Sequence, residues 1–280
     1  MTEKELRSLL ARYGLRTSKS LGQNFLIGDE IPGFVADSAG LTKQTHVLEI
    51  GPGTGAMTRF LCERAGFVTA VELDAKLTAA LTETLAGAGN IEIIRGDILK
   101  TNLAELMSRG YGDLRVCANL PYNITSPVLA MLFASRLFAS ITVMVQREVA
   151  LRLAAKPGTP DYGSFTLLTR YNADVSLLRD VPPTAFLPPP QVTSTVIRLD
   201  THAPPDCVRD EKLFFRTVRA SFAQRRKTLA NALSAGFTEL SKPEIEAAIA
   251  ECGLPPLVRG ETLSLEAFAG LADRLSARLG

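Results

Sequence analysis

The sequence predicts an α/β fold, with a doubly wound parallel sheet followed by a small all-helical domain. Three observations support this fold class. Apolar runs typical of strands alternate with helical segments from residue 46 to about 145. A glycine-rich turn follows the first of these runs, and only helical periodicity remains after residue 209. Strands that alternate with helices are typical of a parallel sheet covered on both faces.

Length and composition limit the class of protein. The 280 residues include 31 basic and 29 acidic side chains, a formal net charge of +2, and 46% hydrophobic residues. A chain of this length buries a large core in one or two domains, and its apolar fraction excludes dominant disorder. No apolar run approaches the ~18 residues that cross a bilayer. The first ten residues lack the apolar run of a signal peptide, so we expect a cytoplasmic protein.

The cysteines and histidines argue against a metal centre and against nucleophilic catalysis. The chain contains Cys62, Cys117, Cys207, Cys252, His46 and His202, all far apart in sequence. Structural zinc needs closely spaced thiolate or imidazole ligands, and disulfide frameworks belong to small secreted proteins. We therefore expect no metal, no disulfide framework and no Ser-His-Asp or Cys-His arrangement.

The N-terminal segment, residues 1–45, is predicted to be a helical and basic cap on the first domain. Thr2 and Glu5 have the spacing of a capping box at the start of a helix, and Gly14 is placed to end it. After a polar loop, Asp29 is predicted to cap a second, short helix.

The alternating region is predicted to contain five strands and four helices. The strands are expected at 46–50, 67–72, 91–95, 114–118 and 140–145, and the helices near 55–65, 74–86, 102–109 and 124–136. Two later strands, at 175–181 and 192–199, flank a proline-rich stretch and suggest an antiparallel addition at the sheet edge. A short linker then gives the expected domains, 1–202 and 203–280.

A glycine turn and two acidic residues indicate a ligand site. Gly51 and Gly53 follow the first strand, where they allow a close approach of the backbone to a ligand. Alone, this turn also fits the dinucleotide fingerprint, and Glu72 at the end of the second strand suits ribose hydroxyls in either case. Asp97 ends the third strand, where it either accepts from an adenine amino group or caps the next helix. Together these features resemble the S-adenosylmethionine site of class I methyltransferases, which are Rossmann-like.

The residues after the fourth strand indicate the reaction. The run from Asn119 to Tyr122 resembles the N-P-P-Y or N-L-P-Y signature of methyltransferases that modify nucleobase amino groups. An adenine amino nitrogen is a poor nucleophile, because its lone pair is delocalised into the ring. The Asn119 side-chain oxygen and the Leu120 carbonyl are predicted to accept its two hydrogens and localise that lone pair. Pro121 stiffens the turn, and Tyr122 offers a face for an extruded base. By itself, the tetrapeptide also fits an ordinary turn.

Positive charge is concentrated in two segments. Residues 1–28 carry five basic and two acidic side chains. Residues 212–227 carry six basic side chains and no acidic one, with Phe214, Phe215 and Phe222 between them. One such segment is usually a solvated face, but two, one of them with interleaved aromatic residues, favour a polyanion such as nucleic acid as partner.

Over essentially its whole length the sequence resembles the ribosomal RNA adenine dimethyltransferases. Residues 20–26 resemble the family's G-Q-N-F-L segment, 186–194 its F-x-P-x-P-x-V-x-S and 222–231 its F-x-x-R-R-K-x-L-x-N. One departure is Ser20-Leu21, where the family often has Arg-Phe. This change puts in doubt how the loop holds cofactor or RNA, but not the reaction class.

The resemblance implies roles for particular residues. The implied cofactor contacts are Gln23, Asn24, Leu26, Gly51, Gly53, Glu72, Asp97, Ile98 and Asn119. Phe186 is implied to face Tyr122 across the target base, although without the resemblance Phe186 would be interpreted as core packing. RNA phosphates are implied to contact Arg219, Arg225, Arg226 and Lys227, in a sequence-blind and salt-sensitive way.

The resemblance implies a function as well. S-adenosylmethionine would donate methyl groups to the N6 atoms of two adjacent adenosines near the 3′ end of small-subunit (16S) ribosomal RNA. The expected protein is a monomer that acts on the assembling small subunit and takes part in its biogenesis. A large-subunit RNA methyltransferase of the macrolide-resistance type is the close alternative, and the helical C-terminal domain argues against it. A non-catalytic assembly factor and a nicotinamide dehydrogenase are the remaining alternatives, argued against by the intact Asn119 and Tyr122 and by the lack of a hydride-site acid or base.

Overall fold

The computed structural model describes residues 1–15 and 24–279, and its described residues form two compact units. Unit 1 contains Met1–Ala150 and Val175–Thr201, and unit 2 contains Leu151–Asp174 and the chain from His202 onward. The sequence placed one boundary, after residue 202. In the structure the chain also enters unit 2 after residue 150 and returns to unit 1 at residue 175. This happens because side chains of 151–174, Tyr162 and Tyr171 among them, are buried in the same cluster as the C-terminal helices.

Unit 1 begins with α1 (Glu3–Arg12), β1 (Phe25–Leu26) and α2 (Glu30–Ser38). The predicted capping box is present, since the Glu5 amide donates to Thr2 Oγ1 at 3.3 Å and the Thr2 amide donates to Glu5 Oε2 at 2.7 Å. Asp29 occupies the N-cap position of α2 but makes no side-chain bond to the helix. Its carboxylate instead pairs with the Met1 amino group and Arg59. The predicted cap bond from Asp29 is therefore wrong, although Asp29 occupies the N-cap position, because its Oδ1 atom pairs with the two cations instead.

The alternating region follows as predicted, with small shifts of the bounds. Its elements are β2 (Thr45–Ile50), α3 (Thr58–Arg64), β3 (Phe67–Glu72), α4 (Ala75–Thr84), β4 (Ile91–Arg95), α5 (Leu103–Leu106), β5 (Asp113–Asn119), α6 (Thr125–Ser135) and β6 (Ser140–Gln146). The chain then forms α7 (Arg147–Ala154), α8 (Ser164–Asn172), β7 (Ala173–Val181), β8 (Phe186–Leu187) and β9 (Ser194–Thr201). The sequence pattern did not predict α7 and α8.

Seven strands form one sheet in the order β4-β3-β2-β5-β6-β9-β7. The pairs from β4 to β6 are parallel, and β9 is antiparallel to β6, which confirms the predicted addition at the edge. Strands β1 and β8 form a separate antiparallel pair. From β2 the chain adds strands first on one side and then, with β5, on the other. A crevice opens at such a reversal, at the carboxyl ends of the strands.

Unit 2 is helical, and its core explains the aromatic residues of the basic segment. It contains α8 together with α9 (Glu211–Ala223), α10 (Leu229–Gly236), α11 (Lys242–Glu251) and α12 (Leu265–Leu279). Phe214 is fully buried and stacks on Tyr171 with 5.7 Å between ring centroids, and Phe215 and Phe222 pack partly buried against the same core. The three rings therefore pack in the core of unit 2 and give no support to the polyanion partner that the sequence predicted, so that prediction depends on the basic side chains.

Neither a membrane span nor a metal-ligand cluster occurs in the described part of the chain. Within 1–15 and 24–279, no helix combines the length and the apolar character of a membrane span. In the same ranges, no three His, Cys, Asp or Glu side chains are grouped as ligands for a metal ion.

Candidate active site

A cavity of about 490 Å³ opens in unit 1 at the carboxyl ends of the parallel strands. The loops after β2, β3, β4 and β5 line it, together with the residues of β1. The sequence-predicted residues that line it are Asn24, Leu26, Gly51, Gly53, Glu72, Asp97, Ile98, Asn119, Leu120, Pro121 and Tyr122. Gln23 lies outside the described residues. Predicted site residues that are far apart in the sequence thus line the same cavity.

The glycine turn after β2 lies directly against the turn after β5. Gly51 and Gly53 have φ angles of 65° and 60°, which side chains other than glycine rarely adopt. A Cβ atom on Gly51 would lie 3.7 Å from the ring of Pro121, and one on Gly53 would lie 3.3 Å from the ring of Phe25. Glycine therefore serves both the backbone conformation and the close approach of the surrounding walls.

Glu72 at the end of β3 holds two loops of the cavity. Its Oε2 atom accepts from the Gly53 amide at 3.1 Å, and its Oε1 atom accepts from the Asp74 amide at 2.9 Å. Burial raises the pKa of Glu72, and the two amide bonds act in the opposite direction. The carboxylate is thereby fixed in position beside the glycine turn, with lone pairs left for a ligand.

Glu49, near the end of β2, lines the cavity but was not among the predicted site residues. It lines the cavity while only 1% of its surface is exposed, and its Oε2 atom has no hydrogen-bond partner among the described residues. Burial raises the pKa of Glu49 to about 8. A buried carboxyl without a partner is costly, and such groups usually meet a ligand or remain protonated. The signal in the sequence was its position two residues before Gly51, at the start of the glycine turn.

Asp97 makes the capping bond that the sequence left open, and its bond to an adenine amino group stays a prediction. Its Oδ1 atom accepts from the Leu99 amide at 3.1 Å and so caps a short 3₁₀ turn, Ile98–Lys100. Its Oδ2 atom lies 3.5 Å from Lys100 Nζ, and about a third of the side chain is exposed in the cavity wall. Ile98 beside it is buried and offers an apolar surface.

The turn after β5 is held rigidly by the backbone. The Leu120 amide donates to the Met144 carbonyl at 3.2 Å, and the Pro121 carbonyl accepts from the Ile124 amide at 3.1 Å. No hydrogen bond from another described residue reaches the Leu120 carbonyl oxygen. Asn119 donates through Nδ2 to the Asn24 carbonyl at 3.4 Å, so its Oδ1 atom is the acceptor that remains.

The ring of Tyr122 lies in the cavity wall, and its hydroxyl makes a hydrogen bond at the end of the ring away from the backbone. Its Oη atom lies 2.7 Å from Ser194 Oγ, and Ser194 is fully buried. Burial raises the pKa of Tyr122, so the phenol is neutral at physiological pH. Ser194 belongs to the F-x-P-x-P-x-V-x-S segment, but nothing in the sequence indicated which residue it would contact.

Phe186 is not among the residues that line the cavity. Only 2% of its surface is exposed, and it packs in a core cluster that includes Leu26 and Met57. The pairing of β1 with β8 places Phe186 opposite Leu26. The side chain thus lies behind the cavity wall, and its position opposite Tyr122 across a bound base stays a prediction.

The basic residues of unit 2 fall into two groups. Arg225 donates to the carbonyl oxygens of Pro160 and Tyr162, at 2.7 and 3.1 Å, so its guanidinium supports the fold. Arg219, Arg226 and Lys227 are exposed, and their side chains make no ion pair or hydrogen bond with the described residues. The last two lie between α9 and α10, where their charges are available to a polyanion.

Comparisons with known proteins agree with this site. A family model described as "Ribosomal RNA adenine dimethylase" matches residues 14–256. A relative from Geobacillus thermodenitrificans, named Ribosomal RNA small subunit methyltransferase A, is 45% identical over 276 residues, which are 96% of this chain and 94% of that protein. A relative of the same name from Lachnoclostridium phytofermentans is 44% identical over 283 residues, covering 99% of this chain and 97% of its own.

Two solved structures are similar in fold. The 23S rRNA methyltransferase ErmE is 26% identical with a TM-score of 0.68, covering 90% of this chain and 100% of its own. A dimethyladenosine transferase from Plasmodium falciparum is 24% identical with a TM-score of 0.71, and the match covers 88% of this chain and 95% of that one. These likenesses confirm the predicted Rossmann-like methyltransferase fold.

The matches extend over both units of the chain and include the glycine turn and the 119–122 segment. They argue against the nicotinamide dehydrogenase and the non-catalytic assembly factor, because the family model is described as a dimethylase and both relatives are named as methyltransferases. The chain belongs to the ribosomal RNA adenine dimethylase family.

Proposed function

We propose that this enzyme methylates N6 of two adjacent adenosines near the 3′ end of small-subunit ribosomal RNA, giving N6,N6-dimethyladenosine. The supporting observation is the close approach of Gly51 to Pro121, which sets the predicted catalytic turn beside the predicted cofactor turn in one cavity. The small subunit is favoured because relatives at 44–45% identity carry that name. The large subunit is the second candidate, since ErmE, a 23S rRNA methyltransferase, is similar at 26% identity.

The cavity suits S-adenosylmethionine in size and in chemistry. About 490 Å³ is within the usual range for pockets that take a molecule of this kind. Glu72 would accept from the ribose hydroxyls and Asp97 from the adenine amino group, with Ile98 against the ring. Glu49, buried and without a partner for Oε2 among the described residues, would face the positively charged methionine end. The cofactor supplies an electrophilic methyl group on a sulfonium.

Asn119 and Leu120 would activate the adenine amino group without a strong base. Asn119 Oδ1 and the Leu120 carbonyl are the acceptors that the turn leaves available, one for each amino hydrogen. Two acceptors favour a pyramidal nitrogen, whose lone pair then points toward the methyl donor. The nitrogen becomes cationic on methylation and is acidic enough to release a proton to water or to a neighbouring carbonyl. Positioning therefore provides most of the rate.

A second methylation requires the monomethylated amine to rotate while it remains beside the same pair of acceptors. After the first transfer one hydrogen remains, and either Asn119 Oδ1 or the Leu120 carbonyl would accept it while the new methyl group takes the other place. Tyr122 would hold the base by stacking during both transfers.

RNA would be held by the exposed cations of unit 2. Arg219, Arg226 and Lys227 have no competing partner among the described residues, so phosphate groups would replace only water around them. Arg225 would contribute mainly by supporting the 160–162 loop. We further propose that the enzyme acts as a cytoplasmic monomer on the assembling small subunit. Light scattering of the purified protein measures its molar mass and so tests whether it is a monomer.

Labelled methyl transfer to purified subunits tests the proposed substrate. Small and large subunits from cells that lack this activity are each incubated with the enzyme and methyl-labelled S-adenosylmethionine, and RNA fragments are analysed by mass. We expect two dimethylated adenosines in one small-subunit fragment and no label in the large-subunit RNA. Label confined to large-subunit RNA would select the second candidate, and Asn119→Ala serves as the inactive control.

A further inference from the structure

The hydroxyl of Tyr122 has a partner that the proposed reaction does not use. Stacking on a base needs only the face of the ring, which a phenylalanine would offer equally well. The Tyr122 Oη atom nevertheless lies 2.7 Å from Ser194 Oγ, within the range of a good O–H···O hydrogen bond. The phenol is thus attached to a residue 72 positions away, at the start of β9.

Ser194 is itself held firmly in the sheet. It is fully buried and pairs with Gln146 at the first position of the β6–β9 ladder. On one side the Thr193 carbonyl accepts from the Arg147 amide at 3.0 Å, and on the other Thr195 Oγ1 donates to Asp180 Oδ1 at 2.6 Å. Its hydroxyl is therefore a fixed point, carried by the second strand beyond β5.

The Tyr122 ring needs such a fixed point. It belongs to a 3₁₀ turn, Tyr122–Ile124, that leaves the sheet, and the ring can rotate about two side-chain bonds. A hydrogen bond at the far end of the ring fixes the Oη atom and with it the rotation about Cα–Cβ. Because the phenol O–H bond prefers the plane of the ring, the direction of this hydrogen bond also favours one rotation about Cβ–Cγ. The ring plane is then set by the sheet rather than by the turn, before any base arrives.

We propose that Ser194 is a positioning residue, whose hydrogen bond to Tyr122 sets the ring plane against which the target adenine stacks. This inference rests on the proposed function, because it assumes that Tyr122 contacts the base. Ser194 touches neither base nor cofactor in this scheme and acts only through the phenol.

A double-mutant cycle tests the proposal. The variants are Ser194→Ala, Tyr122→Phe and the two combined, with Ser140→Ala as matched control, since Ser140 is a buried serine of the same sheet whose hydroxyl has no partner among the described residues. The readouts are kcat and KM for small-subunit RNA, cofactor affinity by calorimetry, and Tm. Because one hydrogen bond is removed in each case, we expect about a 10-fold lower kcat in each single variant and no further decrease in the double variant. Cofactor affinity should match that of Ser140→Ala, whereas Tm should be lower by the few degrees, roughly, that the loss of one hydrogen bond costs.

Two results would overturn the proposal. One is an unchanged kcat in Ser194→Ala. The other is a decrease in the double variant equal to the product of the single decreases, since Ser194 would then act independently of Tyr122. Tyr122→Ala separates this failure from that of the proposed function, because normal turnover in that variant would refute the role of the ring itself.

Discussion

The side-chain amide of Asn119 donates to the backbone carbonyl of Asn24 across 3.4 Å. This bond joins the end of β5 to the residue that precedes β1, two positions that are 95 residues apart. This bond engages the nitrogen of the amide, so the oxygen is the atom that remains to accept a hydrogen bond from a ligand. A segment that lines the cavity thereby holds the side chain whose oxygen is proposed to accept from the base.

Replacing Asn119 by alanine is expected to lower kcat by about 100-fold or more, because one of the two acceptors for the amino hydrogens is removed. Cofactor binding should weaken but remain measurable by calorimetry, since Glu72 and the glycine turn are unchanged. Asn123→Ala removes an exposed amide from the same turn and is the matched control. Near-normal turnover in Asn119→Ala would refute the role of the amide.

Glu49→Gln is expected to change the dependence of stability on pH. The folded pKa is about 8 against 4.5 for the ordinary group, so between these values the folded chain holds a proton that the unfolded chain has released. Folding stability therefore falls as pH rises through this window. Glutamine does not titrate, so the variant should gain Tm relative to the parent from pH 5 to pH 8. Parallel Tm profiles for parent and variant would show that the carboxyl is ionised when folded.

The control for this measurement is Glu63→Gln, an exposed carboxyl of the neighbouring helix α3. Its Tm profile should follow that of the parent at every pH. Cofactor binding gives an independent readout, because a cation beside Glu49 favours its charged form. Calorimetry in buffers of different ionisation enthalpy at pH 7 should detect proton release on cofactor binding, and less of it in Glu49→Gln.

Neutralising Arg226 and Lys227 is expected to weaken RNA binding without a change in stability. Each cation removed from the phosphate-binding surface should reduce the slope of log affinity against log salt by about 0.7–0.9. Arg225→Gln should behave differently and lower Tm, because its guanidinium joins two backbone carbonyls. Fluorescence anisotropy over a salt series measures the first effect and thermal unfolding the second. Lys242→Gln, an exposed cation of α11, is the control, and an unchanged salt slope in Arg226→Gln/Lys227→Gln would mean that this surface is only solvated.

Glu72→Ala is expected to reduce affinity for S-adenosylhomocysteine by about 10-fold or more. The substitution removes both an acceptor for the ribose and the bonds that hold the Gly53 and Asp74 amides. Calorimetry measures the decrease. Glu105→Ala, on an exposed face of α5, should bind as the parent does, and an equal decrease in both variants would indicate a general effect on folding.

The order of strands and helices from residue 45 to 146 was predictable because each strand is an apolar run bounded by turn residues. In β6, for example, the four apolar residues Ile141, Val143, Met144 and Val145 are all fully buried, so the apolar run in the sequence reflects the environment. Helices α7 and α8 were missed because they follow β6 without a strong stop signal and flank a loop rich in Gly and Pro. Asp29 shows the limit of local reasoning, since a distant arginine and the chain terminus compete for its carboxylate.

By itself the sequence determined the fold class and predicted the cofactor turn and the catalytic Asn119–Tyr122 segment, because glycine conformation, hydrophobic pattern and turn chemistry are local properties. Only the tertiary structure decided how distant residues combine. In the tertiary structure Tyr122 hydrogen-bonds to Ser194, and Asn119 donates to the Asn24 carbonyl. Phe186 is buried, and Arg225 bonds to backbone carbonyls while its neighbour Arg226 is exposed. Each of these outcomes depends on which strands become neighbours, and hydrogen bonds between residues 72 or 95 positions apart leave no trace in local periodicity.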